Sequence, residues 1–212
     1  MEPTTEPMQP QVPVVPVVES GPIATTTSVL VADKVVSYGE TTSLAAAVPV
    51  GASGTITFKD GSKVIATGVV QSGLFSVVTP ATLKVGKHRI TAVYSGDAAN
   101  APSTSVVSTL TVKKAKTKVA VTKTKSVKGG KTVVKVKASS RADEAAATGK
   151  IRVYVGKKVV KTVTLRAKNN GTISVTLPKK YSSKMSVKVK YMGSSKLAAK
   201  TSKTIKVVPR KG

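Results

Sequence analysis

From about Thr25 onward, apolar and polar positions alternate along most of the chain. The runs are TTSVLVA, ETTSLAAAV, GTITFKDGSKVIATGVV, GLFSVVT, KHRITAVYS and STSVVSTLTV, with Gly, Pro, Asp or Ser between them. A period of two sends one set of side chains into a core and the other into solvent, and Val, Thr and Ile fit a pleated surface, so each run predicts a strand. Asp60-Gly61, flanked by alternating runs, predicts a hairpin. About seven short strands with a turn roughly every ten residues predict a β-sandwich over residues 25–112.

The same order then returns. VAVTKTKSV, TVVKVKAS, GKIRVYVGKKVVKTVTL, NGTISVTL, KMSVKVKYM and AAKTSKTIKVV follow between Thr117 and Val208. HRITAVYSGDAAN, at 88–100, is echoed by KMSVKVKYMGSSK at 184–196, and Tyr94 and Tyr191 each stand two places before a Gly. Gly54 and Gly149 open equivalent strands, and Gly73 and Gly171 precede GLFSV and GTISV. Self-similarity at a domain-length period predicts a second sandwich over residues 119–212, joined by the basic linker KKAKTK, residues 113–118. The second copy carries an insertion, RADEAAA, expected as a surface loop with at most a helical turn. Residues 1–24 hold more than half of the 11 prolines. Pro lacks the ladder N–H, so this part is expected to be extended, either a leader or an anchor ordered against a partner. The fold class is therefore all-β, two tandem sandwiches behind a Pro-rich segment.

Charge separates the two copies. The chain has 35 basic and nine acidic side chains, a net charge of +26, and residues 113–212 hold 29 of the basic ones against only Asp143 and Glu144. Residues 1–24 carry three Glu and no cation. In the second copy the outward phase is Lys135, Lys137, Lys150, Arg152, Lys184, Lys188 and Lys190, interleaved with inward Val, Ile and Met. Such self-repulsion costs stability and points to an anionic partner: a teichoic-acid-like polymer, an acidic protein surface, anionic lipid or nucleic acid. Sequence-specific nucleic-acid recognition is not expected. There is no helix-turn-helix pattern or zinc ligand set, and Tyr154, Tyr181 and Tyr191 are too few for a stacking platform, leaving salt-dependent nonspecific binding.

Little points to catalysis or a cofactor. The chain has no Cys and one His, His88, read on the outward phase of KHRITAVY as a solvated strand residue. Its carboxylates are scattered; Asp97 with Asn100 offers two oxygen side chains, short of the six to eight ligands of a Ca²⁺ site. No nucleotide-binding or zinc motif is present, so no catalytic, cofactor-binding or metal residue is expected and no enzyme activity. The N-terminus has no basic n-region and no unbroken apolar stretch, and no apolar run approaches the length of a membrane span.

GTITFKDG at 54–61 and AVYSGDAANAP at 92–102 resemble the bacterial immunoglobulin-like repeats of surface proteins and tailed-phage structural proteins. In the second copy Val155-Gly156 stands where Asp-Gly would, and Met192-Gly193-Ser194 where Ser-Gly-Asp would. The resemblance implies non-enzymatic modules used as spacers, decorations or weak binders. It makes Gly54, Phe58, Gly61, Tyr94 and Gly96 turn and core residues, with Gly149 and Tyr191 their counterparts. The reading is an accessory structural protein at a virion surface, on a phage head or tail. Its N-terminal segment would hold other virion proteins, and its basic domain an anionic host surface or acidic neighbour. The alternatives are a fragment of a bacterial cell-wall adhesin built from such repeats and a nonspecific nucleic-acid-binding protein.

Overall fold

The computed structural model describes residues 21–126, 130–140 and 147–209. The leader's first 20 residues, Gly129 of the Gly-Gly turn, and Asp143 and Glu144 with most of the RADEAAA insertion lie outside them.

The first copy contains β1 (Ser28–Val31), β2 (Val35–Ser37), β3 (Ser43–Ala47), β4 (Thr55–Asp60), β5 (Lys63–Val69), β6 (Leu74–Val78), β7 (Gly86–Tyr94), β8 (Ser103–Thr104) and β9 (Ser108–Lys113). One sheet runs β1-β3-β6; the other runs β2-β9-β7-β4-β5, with β8 added on β7. The second copy contains β10 (Thr117–Ser126), β11 (Thr132–Ser140), β12 (Gly149–Val155), β13 (Lys158–Leu165), a 3₁₀ turn at Ala167–Asn169, β14 (Thr172–Thr176), β15 (Met185–Tyr191), β16 (Lys200–Thr201) and β17 (Ile205–Val207). Its sheets run β10-β11-β14 and β13-β12-β15-β16, with β17 also on β15. No described residue lies in an α-helix.

Both cores are filled by the inward phase of these strands. Ile56, Phe58, Ile90, Ala92, Tyr94 and Leu110 are fully buried in the first, and Val134, Ile151, Val153, Val187, Val189 and Tyr191 in the second. Each large side chain so buried removes enough apolar surface to favour the fold by about 1.5–3 kcal/mol. Phe58 stacks on Phe75 at 5.7 Å between centroids, closing the first core.

The hairpin turns explain how the second copy survives the loss of Asp-Gly. Asp60 is the last residue of β4, and the loop is Gly61-Ser62, with Gly61 at φ 58°. Val155 ends β12 and Gly156 turns the chain with φ 59°. The glycine makes the turn, since a Cβ is disfavoured at such φ, and the preceding residue is released for another task. Gly54 and Gly149 are held by a second constraint, because a Cβ there would sit 2.5 Å from the Gly96 carbonyl oxygen and 2.7 Å from that of Gly193.

The chain comes into both sandwiches in the same way. Ile23 pairs in parallel with Asn100, and Ala115 with Leu197. Ala115 is buried and β10 starts at Thr117, so most of the KKAKTK segment is built into the sandwiches. At the junction, Lys196 Nζ of the second copy lies 4.8 Å from the ring centre of Tyr38 in the first. Each domain thus has an incoming pole, at the Tyr-x-Gly turn, and an outgoing pole, where the β4–β5 or β12–β13 turn lies.

Candidate anion-binding face

The seven outward cations of the second copy do not share one face. Lys135 and Lys137 lie on β11, paired through β10 and β14, where Lys123 stands opposite Lys135. Lys150 and Arg152 lie on β12, and Lys188 and Lys190 on β15, in the other sheet. Lys184 continues the outward phase of β15 at its start. Period two distinguishes inward from outward, and a sandwich has two outward faces.

The face of β12 and β15 carries cations on both of its central strands and an aromatic ring between them. Arg152 stands directly opposite Lys190, and Tyr154 opposite Lys188. Lys188 Nζ lies 5.5 Å from the Tyr154 ring centre, within cation–π range. Lys206, on β17, extends the row and donates to Ser186 Oγ at 2.8 Å. Sequence reasoning omits Lys206 and Tyr154 from this set, although each has outward parity within its run. No described residue of the second domain carries a carboxylate side chain, so these cations meet no acidic partner within their own described domain. The same positions in the first domain are Thr55 and Thr57 on β4, Thr91 and Val93 on β7, and Thr109 on β9, beside Lys59 and Arg89.

The first domain places its ionisable groups differently, and His88 is a correction. The solvated role expected for it does not hold: it shares the inward parity of Ile90, Ala92 and Tyr94 and is 8% exposed. Its Nδ1 lies 2.6 Å from Asp60 Oδ2 and its Nε2 2.7 Å from the Lys84 carbonyl oxygen. Both neighbours accept, so both ring nitrogens donate and the ring is an imidazolium paired with Asp60. Burial pushes the pKa of His88 down, but the Asp60 hydrogen bond, the Lys84 carbonyl and the Asp60 charge outweigh it and leave the pKa raised. Asp60 also accepts from the Arg89 amide at 3.1 Å. The counterparts of the pair are Val155 and Met185.

Asp97 closes the incoming pole. It accepts from the Ser53 amide at 2.7 Å, Tyr94 Oη at 2.9 Å, the Ala99 and Asn100 amides, and Asn100 Nδ2. The Ser53 amide above all, with Asn100, Tyr94 and Ala99, holds its carboxyl far below the ordinary carboxylate range, against the opposing effect of desolvation. Burial first, then the Asp97 hydrogen bond and charge, pushes the Tyr94 phenol up. With its oxygens taken by these donors, Asp97 is a turn-forming carboxylate. Ser194 holds the equivalent place in the second domain, where its Oγ accepts from the Lys196 and Leu197 amides. Among the described residues no group of three or more His, Asp or Glu is placed to hold a metal ion. No described helix is long and apolar enough to cross a membrane.

Comparison with known proteins bears on the fold. Residues 24–113 match the family model described as bacterial Ig-like domain (group 3). No curated protein matches the chain. Among solved structures, the titin domains z1z2 in complex with telethonin are 16% identical, with 88% of this chain and 98% of that one covered at a TM-score of 0.45. The fibronectin(III)-like modules of Clostridium thermocellum CbhA are 14% identical, covering 86% of this chain and 94% of theirs, at 0.36. The Yersinia pseudotuberculosis adhesin InvE is 13% identical, covering 85% of this chain and 58% of its own, at 0.39. With its all-β sandwich, its Asp-Gly hairpin and its Tyr-x-Gly-Asp turn, the first domain, residues 24–113, is similar to the bacterial Ig-like domain family, group 3.

Proposed function

We propose that the protein is a non-enzymatic accessory module displayed on a phage particle, whose second domain adheres to an anionic polymer of the host envelope through the β12–β15 face. The observation that carries the reading is Arg152 directly opposite Lys190, with Lys150, Lys188 and Lys206 beside them and no described carboxylate in the domain. Like charges directly across a strand pair destabilise a sheet, so they are a cost to folding that a polyanion along the strands would offset. Tyr154 adds a flat apolar surface among the cations. One such face binds weakly; many copies on one particle bind with avidity.

The test measures binding of the full chain to host envelopes and to a purified polyphosphate chain in rising salt. Log affinity is expected to fall linearly with log salt concentration. Replacing Lys150, Arg152, Lys188, Lys190 and Lys206 by their first-domain counterparts (Thr, Thr, Thr, Val, Thr) should flatten that slope by roughly 0.7–0.9 per lost contact. Lys135→Thr with Lys137→Thr should keep most of the binding. Affinity indifferent to salt, or unchanged by the five replacements, would sink the reading. Loss on the Lys135/Lys137 change alone would move the site to the other sheet. Deleting residues 1–24 should release the protein from the particle while leaving polymer binding intact.

A further inference from the structure

At the outgoing pole of the second domain, the β12–β13 turn and the segment after β14 enclose a cavity of about 290 Å³. Val155, Val159, Pro178 and Tyr181 supply apolar walls, and Lys158 and Lys179 supply positive charge. We propose that this cavity receives residues 1–20 of a second copy of the chain, so that copies join head to tail. This site is separate from the β12–β15 cation row.

Three observations converge on that occupant. The first is chemical: MEPTTEPMQPQVPVVPVVES pairs a Val/Pro run with Glu2, Glu6 and Glu19 and has no cation, which complements apolar walls with lysines among them. Pro-rich segments lose little entropy on docking, and aromatic side chains are their usual platform; Tyr181 is the aromatic here. The second is the contrast with the first domain. The equivalent cavity there, about 410 Å³, has the Asp60 carboxylate in its wall, whereas Val155 occupies that place in the second. In the first domain that place holds a charged pair, Asp60 with His88, whereas Val155 makes the second cavity's wall apolar there, which suits a Val/Pro run. The third is polarity along the chain. Residues 1–20 lead into Ile23, which pairs with Asn100 at the incoming pole of the first domain, while the cavity lies at the outgoing pole of the second. Within one chain an outgoing pole already meets an incoming one, where Lys196 covers Tyr38. A head-to-tail contact between copies repeats that polarity, and a heterologous contact that does not close into a ring propagates as a filament.

Sedimentation velocity of the full chain at low salt should show a sedimentation coefficient that rises with concentration, and the chain lacking residues 1–20 should stay monomeric. A fluorescent peptide of residues 1–20 should bind the shortened chain, at least tenfold more weakly after Val159→Asp or Lys179→Glu. Both positions are exposed, Val159 by 42%, so neither change threatens the fold. Lys150→Thr with Arg152→Thr should leave peptide binding within about twofold, which separates this cavity from general attraction to a basic domain. A chain that stays monomeric at millimolar concentration overturns the proposal. So does peptide binding that ignores Val159 and Lys179, or a contact that forms within one chain independently of concentration.

Discussion

The two domains keep the same strand registers and differ in what they place on them. Thr55, Thr57, Thr91, Val93 and Thr109 in the first become Lys150, Arg152, Lys188, Lys190 and Lys206 in the second, each at the matching ladder position. Outward positions are free to change together because solvent imposes no packing constraint on them, only a cost in mutual repulsion. At the outgoing pole the rule is stricter. Asp60 and His88 form a partly buried ion pair in the first domain, and Val155 and Met185 replace both in the second. Changing one partner alone would strand a charge or bury an unpaired ring, whereas exchanging both for apolar groups costs little.

That contrast can be broken most severely at His88. His88→Ala leaves the Asp60 carboxylate, 24% exposed, without its cation and should lower the stability of the first domain by about 2 kcal/mol in urea denaturation. The double change Asp60→Val with His88→Met, which copies the second domain, should recover to within about 1 kcal/mol of the original. A double variant as unstable as His88→Ala would show that the pole needs the ion pair itself.

A smaller effect follows from pH. His88 titrates higher in the folded chain than in the unfolded one, so its contribution is fully present below the unfolded value of about 6.5 and is lost as pH rises through the folded value. The original chain should therefore lose stability relative to the double variant as pH rises from the acidic side of 6.5 through the folded value. Asp97 shifts the opposite way, and its contribution is lost only as pH falls through a folded value far below the ordinary carboxylate range, so it should leave this interval flat. Equal pH profiles for the two proteins would remove the imidazolium from the account.

The smallest effect on stability is expected from the reverse exchange on the outer face. Placing Lys, Arg, Lys, Lys and Lys at Thr55, Thr57, Thr91, Val93 and Thr109 should change the unfolding free energy by less than about 0.5 kcal/mol per site. The same chain should bind polyphosphate with a steeper salt slope. A steep loss of stability would mean that the first domain's threonines pack in a way the second domain's cations do not need.

Much of this was legible in the chain itself. Period two places Tyr94 and Tyr191 in the cores, and Gly61 and Gly156 are turn residues by their chemistry. His88 also carries the sign of its burial, through its parity with Ile90, Ala92 and Tyr94. Residue type argues the other way, and the outcome depends on Asp60, which the hairpin brings across from β4. Asp60 looks like half of a turn motif in sequence; the turn needs only the glycine, and the carboxylate serves the histidine.

By itself the sequence determined two sandwiches, most of their strands, most of their inward and outward sets, and the concentration of positive charge in the second. Those properties are local, because alternation and turn chemistry act over a few residues. Only the tertiary structure decided which outward residues are neighbours, because the sheet a strand joins depends on long-range pairing that its own pattern does not encode. It sends Lys135 and Lys137 to one face, puts Lys150, Arg152, Lys188, Lys190 and Lys206 on the other with Lys188 over Tyr154, and sets Tyr181 and Lys179 beside Val155 at the outgoing pole.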